Sequence, residues 1–335
     1  MIQFKYLGDA VFLTPALKQI KDFYPQAEIH VLTAAEIAPI FSNLSHVKKV
    51  WAMPRTRGQF NLLSLWPHIK KLRKNIFDLI LDFGGNDRGA LFTFFLKGKE
   101  KYVLVDSRIK ISHKYIYTKF IHLESDNLNN VLKNLKFLNA LNIFGNSNIK
   151  LEIVPNKNLF KPAKLILKNH PVIFHIGTSQ PKKEWPLSYW FELYQLLNKQ
   201  GIKVAFSAGH NLREQMLLNQ LIKMDSKIYT MPSIKDLDLY LAVLKQSKLI
   251  ISGDTAPLHF GRALGVDVIG LFGTQDSIIK ASPIYQVKNK LLGVPCVCLG
   301  PLAHRDTCNN NNLCMRGISP KRVAHLVEFH LKKSP

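Results

Sequence analysis

The stretch "IISGDTAPLHFGRALGVDVIGLFG", Ile250 to Gly273, sets the fold of everything around it. An apolar run ends in Gly253 and Asp254, Thr255 is a residue type that caps helices, and Pro257 suits a first turn, where the missing amide is not needed. A helix therefore begins near Ala256, and "DVIGLFG" follows as a second, almost unbroken apolar strand. Strands that are apolar throughout and joined through a helix are the unit of a parallel sheet covered on both faces.

The same rhythm runs outward in both directions. "VIFHIG" (Val172 to Gly177), "KVAFSAG" (Lys203 to Gly209), "KIYTM" and "LIISGD" read as strands, with helices starting near Ser188, Leu212, Lys235 and Ala256. Before a Pro- and Lys-bearing stretch, "LEIVPNKNLFKPAK", the first half reads likewise. Strands are expected over Ile2 to Leu7, Glu28 to Thr33, Val47 to Trp51, Asp78 to Phe83 and Lys101 to Val105, and helices over Val11 to Phe23, Leu62 to Lys74 and Leu128 to Leu141. With 335 residues, about twice a usual domain of ~150, the chain reads as two α/β domains, each a doubly wound parallel sheet: residues 1–155 and 156–335, with the last helix free to pack back on the first domain. Ligands of such sheets sit beyond the carboxyl ends of the strands, so the cleft between the halves is where chemistry is expected.

Composition narrows the class. Lys and Arg number 46 against 23 Asp and Glu, a net charge of +23 spread over both halves rather than gathered in a tail. Such a field suits a polyanionic partner: nucleic acid, an anionic membrane surface or a phosphorylated substrate. A genome rich in Lys, Asn, Ile and Phe accounts for part of it. Asp9 and Lys18 interrupt the apolar stretch that a signal peptide requires, and no window reaches ~18 uninterrupted apolar residues, so a cytoplasmic location is expected. Cys296, Cys298, Cys308 and Cys314 lack the paired spacing of a zinc ribbon and read as loop thiols. Neither half carries G-x-G-x-x-G after its first strand, and no G-x-x-x-x-G-K-[ST] or H-E-x-x-H occurs, which argues against dinucleotide oxidoreductases, P-loop NTPases and zincins. The one D-x-D, Asp236 to Asp238, opens a helix and suits its dipole.

Three constellations remain. In "KYLGDAVFLTPALKQI" (Lys5 to Ile20), Gly8 and Asp9 fall where the first strand gives way to the first helix; an acid there either caps the helix or waits at a sheet edge as a base. In the opening stretch, Thr255 and the helix front form a site for a phosphate or diphosphate, Asp254 is better suited to sugar hydroxyls, and His259 is half-buried. In "HIGTSQPKKEWPLSYWFELYQLL", from His175, a strand end is followed by Thr178, Ser179, Lys182 and Lys183; hydroxyls and a compact ammonium match phosphate oxygens.

Together "LGDAVFLTPALKQIKDFYPQAEIHVL", "GTSQPKKEWP" and "SGDTAPLHFGRALGVDVIGLFGTQD", with the closing "CMRGISPKRVAHLVEFHL", resemble the hallmark segments of the bacterial lipopolysaccharide heptosyltransferases, glycosyltransferase family 9. The "FKYLGDAVFLTP" opening is most similar to the heptosyltransferase III branch. The resemblance implies a GT-B fold, two Rossmann-like domains facing one another, and inverting, metal-independent transfer of heptose from ADP-L-glycero-D-manno-heptose to the inner core, with no cofactor. It implies Asp9 as general base and donor contacts from Thr178, Ser179, Lys183, Asp254, Thr255, Ala256 and His259. The family's Asp-Thr-Gly reads Asp254-Thr255-Ala256 here, which puts a methyl where backbone approaches phosphate. The acceptor, Kdo-lipid A or its extended inner core, is anionic and lies at the inner face of the inner membrane. Lys70, Lys71 and Arg73 beside Trp66, and Lys101, Arg108, Lys110 and Lys114 interleaved with Tyr102, Tyr115, Tyr117 and Phe120, are the expected acceptor- or membrane-facing positions. Two other readings are kept: a GT-B transferase using another nucleotide sugar, and a nucleic-acid-binding protein, which the absence of RRM, KH or zinc-finger motifs disfavours.

Overall fold

The computed structural model describes residues 1–54, 62–105, 111–123, 128–145, 149–273, 290–293 and 312–332. It divides into two compact units, Met1–Val154 and Pro155–Pro335.

The N-terminal unit runs β1 (Ile2–Gln3), α1 (Leu7–Phe23), β2 (Ile29–Ala34), α2 (Pro39–Ser42), β3 (Val47–Met53), α3 (Leu62–Leu72), β4 (Ile76–Asp82), α4 (Asp87–Phe95), β5 (Lys97–Val105), β6 (Lys119–His122) and α5 (Asn130–Asn139). Its six strands lie in the order β3-β2-β1-β4-β5-β6 with every pairing parallel. The order turns between β1 and β4, where Ile2 pairs with Asp82.

Helix α1 begins at Leu7, four residues before the expected Val11: β1 stops at Gln3, Tyr6 is the N-cap, and Gly8 and Asp9 lie inside the first turn. Pro15 sits mid-helix, where its missing N–H leaves the carbonyl of Val11 without an amide partner. The Thr14 hydroxyl supplies the replacement, donating to Val11 O at 2.8 Å, and Thr14 Oγ1 in turn accepts the Glu152 amide at 3.1 Å. Asn134 of α5 donates to Phe12 O at 2.9 Å, and Gln19 donates to Ile143 O at 2.6 Å, so the helix carrying Asp9 is fastened along its length.

The C-terminal unit runs α6 (Phe160–Leu167), β7 (Val172–His175), α7 (Leu187–Asn198), β8 (Val204–Ser207), α8 (Leu212–Met224), β9 (Tyr229–Thr230), α9 (Leu237–Gln246), β10 (Leu249–Gly253), α10 (Ala256–Leu264), β11 (Asp267–Phe272), β12 (Lys290–Gly293), α11 (Leu313–Arg316) and α12 (Pro320–Lys332). Strand order is β12-β11-β10-β7-β8-β9, again all parallel. Every residue of β7, β8 and β10 is buried, which requires layers on both faces of the sheet. Asp236 caps α9 by accepting the Asp238 amide at 3.0 Å.

Helix α12 fills this unit's own core. Val323, Ala324 and Val327 join Trp185, Trp190, Leu193 and Leu271, and the Trp185 indole N–H donates to Ile318 O at 2.9 Å. Cys314 is buried in the same cluster; the other three cysteines lie outside the described residues.

Candidate active site

In the C-terminal unit the strand order turns between β7 and β10, with His175 paired to Ser252. Beyond these strand ends lie both C-terminal constellations of the sequence. Asp254 follows β10 directly, and Lys183 closes a 3-10 turn, Pro181–Lys183, after β7. The Lys183 ammonium donates to Asp254 Oδ2 at 2.6 Å, and His259 Nε2 lies 3.7 Å from Oδ1. Burial alone would raise the Asp254 carboxyl; the neighbouring His259 imidazole and the Lys183 ammonium outweigh it and hold the group well below the usual carboxylate range. The pair is therefore an anion and a cation in contact, with side chains 14 and 22% exposed, not the two independent groups that the sequence suggested.

Thr255 is the N-cap residue of α10, yet its hydroxyl makes no cap bond. Pro257 has no amide and Leu258 N–H bonds Thr255 O at 3.2 Å, so the helix front offers the amides of Thr255 and Ala256. Ala256 opens the helix with a negative φ, so the methyl costs no backbone strain and acts by bulk alone. Thr178 is buried: its hydroxyl donates to Gln180 O at 2.7 Å, and its methyl lies 3.1 Å from where a Cβ on Gly253 would stand. Ser179 is exposed.

Sequence reading missed a second carboxylate here. Glu214, buried in the first turn of α8, accepts the Gly209 amide at 2.7 Å and an Asn211 side-chain bond, while Asn211 caps the helix through the Glu214 amide at 2.9 Å. The carboxylate occupies the space beside Gly177, where an added Cβ would meet Glu214 Oε2 at 1.7 Å. Arg213 pairs with Glu184 and donates to Thr178 O, tying α8 to the Lys183 loop. The "NLRE" pattern was the available signal: Asn at a cap and Glu three residues on. His175, buried at the end of β7, contacts the hydroxyls of Ser207 at 3.0 Å and Tyr240 at 3.3 Å, and burial lowers it to about 4.

In the N-terminal unit Asp9 is half-buried at the third position of α1, not its cap, and accepts the Tyr6 amide at 3.2 Å. That bond satisfies one amide at the helix front and aims the carboxylate there. Asp82, fully buried at the end of β4, was also missed; the signal was an acid closing an apolar strand before Gly84-Gly85.

Among the expected basic contacts, Lys70, Lys71, Arg73 and Lys114 are exposed. Lys101 instead turns inward and donates to Thr93 O at 2.9 Å. Tyr117, expected on the surface, is buried with its hydroxyl on Asp82, because β6 continues the sheet past a segment read as a basic surface. Arg108 and Lys110 lie outside the described residues. Among the described residues, no group of three or more His, Cys, Asp or Glu is placed to hold a metal, and no helix is long and apolar enough to cross a membrane.

Two parallel sheets, each turning its strand order beside its first strand, are the two α/β units of the GT-B fold of glycosyltransferases. An Escherichia coli ADP-heptose lipopolysaccharide heptosyltransferase II of known structure has this fold, with a TM-score of 0.77 at 15% identity over 99% of this chain and 98% of that one. The family model described as glycosyltransferase family 9 (heptosyltransferase) matches residues 65–298, and the chain belongs to that family. The lipopolysaccharide heptosyltransferase 3 of Escherichia coli K12 is 25% identical over 293 residues, 82% of each chain. The lipooligosaccharide heptosyltransferase 2 of Campylobacter jejuni serotype O:2 is 24% identical over 341 residues, 98% of this chain and 97% of the relative.

Proposed function

We propose that this glycosyltransferase moves L-glycero-D-manno-heptose from its ADP-activated form to the lipopolysaccharide inner core, inverting the anomeric centre without a metal, with Asp9 as general base. The reading is supported by the heptosyltransferase names of relatives aligned over most of their length, one of which is named for ADP-heptose. The observation that carries it is the Lys183–Asp254–His259 group beside the uncapped front of α10. A departing diphosphate gains negative charge as the anomeric bond breaks, and a fixed ammonium and amides aimed at it stabilise that charge more than the ground state. Lys183 is shared: an arriving phosphate competes with Asp254 for it, and the released carboxylate is then available to sugar hydroxyls. Thr178, buried behind Gly253, shapes the pocket with its methyl, while Ser179, exposed beside it, reaches phosphate. On the acceptor side a sugar hydroxyl is a poor nucleophile, and a carboxylate within hydrogen-bond reach takes its proton during attack.

The acceptor is an anionic glycolipid at the inner face of the inner membrane, and the enzyme meets that surface peripherally. Trp66 on α3 and Phe94 on α4 are 47 and 61% exposed, joined through Phe95 at ring distances of 6.0 and 5.2 Å, with Lys70, Lys71, Arg73 and Lys74 on the same helix or just past its end. Exposed aromatic rings flanked by cations suit an anionic headgroup layer. Nucleic acid is not a partner in this reading.

The deciding experiment offers the protein ADP-heptose, UDP-sugars and GDP-sugars separately with an inner-core acceptor. ADP-heptose alone is expected to be consumed, and Asp9→Asn to bind it normally while losing about 10²- to 10⁴-fold in turnover. Consumption of a UDP- or GDP-sugar instead would replace the donor assignment, and near-normal turnover by Asp9→Asn would remove the base.

A further inference from the structure

The carboxyl end of β4 holds buried polar groups that the proposed chemistry does not use. Asp82 lies at the turn of the strand order, paired with Ile2 of β1. Its Oδ1 accepts the amides of Gly84 at 2.8 Å and Gly85 at 3.1 Å, and its Oδ2 accepts the Tyr117 hydroxyl at 2.5 Å. Helix α4 comes so close that a Cβ on Gly89 would stand 2.3 Å from Oδ2, so only glycine fits there. Burial pushes the Asp82 carboxyl above the usual carboxylate range, and the Tyr117 hydroxyl and the two amides offset only part of that rise. Apolar side chains would fill such a place without the desolvation cost of an acid, so an acid with this set of donors does something that bulk alone does not.

From Asp82 the packing is continuous to the segment that holds Asp9. Phe83 N–H donates to Ile2 O at 3.1 Å. Gln3, itself buried, accepts the Lys5 amide on Oε1 at 3.1 Å and lies beside Gly84. Phe4 stacks on Phe92 of α4 at 5.3 Å, and the Arg88 guanidinium lies 4.5 Å from the Phe4 ring. Phe4 and Lys5 are the two residues that separate β1 from Tyr6, whose amide the Asp9 carboxylate accepts.

We infer that Asp82 is a positioning residue for Asp9: by pinning Gly84, Gly85 and Tyr117 against the close-packed Gly89 of α4, it fixes the Phe4–Lys5–Tyr6 segment from which the Asp9 carboxylate is held. The inference rests on the reading of Asp9 as the base. Asp82 is buried and acts through that segment, not on the sugar.

The test is a double-mutant cycle on heptosyl transfer by the full chain. Asp82→Ala removes all three anchors; Tyr117→Phe removes one and leaves the carboxylate with both amides, so it serves where the first variant does not fold. Each is expected to lower kcat, about 10- to 100-fold for a base displaced by an ångström, with donor KM unchanged. In an Asp9→Asn background neither is expected to cost anything further. A residue that merely supports the scaffold lowers the active fraction equally in both backgrounds, so losses that multiply overturn the inference while leaving Asp9 as base. Unchanged turnover in Asp9→Asn alone overturns both readings.

Discussion

At the residue scale the Lys183–Asp254 contact decides most. In the proposed reading Lys183→Ala removes a charged hydrogen bond to the donor and strands Asp254; since hydrogen bonds to charged groups contribute about 1.5–3 kcal/mol, donor affinity should fall about 10- to 100-fold, and kcat should fall as well because the same ammonium stabilises the departing diphosphate. Isothermal titration with ADP measures the affinity directly, and unchanged affinity would remove Lys183 from the pocket. His175 makes a second, acid-side prediction. Its folded value of about 4 lies below the 6.5 of an unfolded chain, so between these pH values the unfolded state binds a proton that the folded state refuses. Stability is therefore full above 6.5 and falls as pH drops toward 4, by roughly 3 kcal/mol from this residue at ~1.4 kcal/mol per unit. Urea unfolding at both ends of the window should show a smaller fall for His175→Gln than for the parent; identical slopes would mean that His175 charges freely in the folded state.

At the scale of elements, the strand–helix alternation was legible because a strand buried on both faces leaves a continuous apolar run, as in β7 and β10, and both helix fronts at the C-terminal site follow such runs. Boundaries were less legible. Strand β1 gives up Phe4 to Leu7 because Asp9 draws the Tyr6 amide into a helix front, a local bond that no periodicity encodes. Helix α4 and strand β6 were missed: "DRGALFTFF" is apolar nearly all round, and "KFIH" is four residues inside a basic stretch. Glu214 escaped for another reason: beyond its cap pattern, the room that its carboxylate fills is left by Gly177, and a sequence does not print the space that a glycine leaves. Gly177→Ala tests that element contact. Its methyl would displace the Glu214 carboxylate from the Gly209 amide, costing about 1–3 kcal/mol as overpacking does, with weaker donor binding alongside. Wild-type values in denaturant and in ADP titration would show that α8 yields without consequence.

At the scale of the whole molecule, a net charge of +23 and the Trp66–Phe95–Phe94 group favour association with anionic bilayers. In flotation assays the protein should rise with vesicles rich in anionic lipid, release as salt shortens the Debye length from ~10 Å at 0.1 M, and bind less after Trp66→Ala with Phe94→Ala. Flotation that ignores both salt and lipid charge would end the surface proposal. The closing of the C-terminal core by α12 bears on how the chain is made. Trp185 waits for a carbonyl 133 positions downstream, and the valines of α12 cover apolar side chains of α7 and β11 laid down much earlier. While a ribosome is still adding the residues between them, that half stays open to chaperones and proteases. The front half has its six described strands and α5 by residue 139, so synthesis delivers the side bearing the acid first and the side bearing the ammonium last.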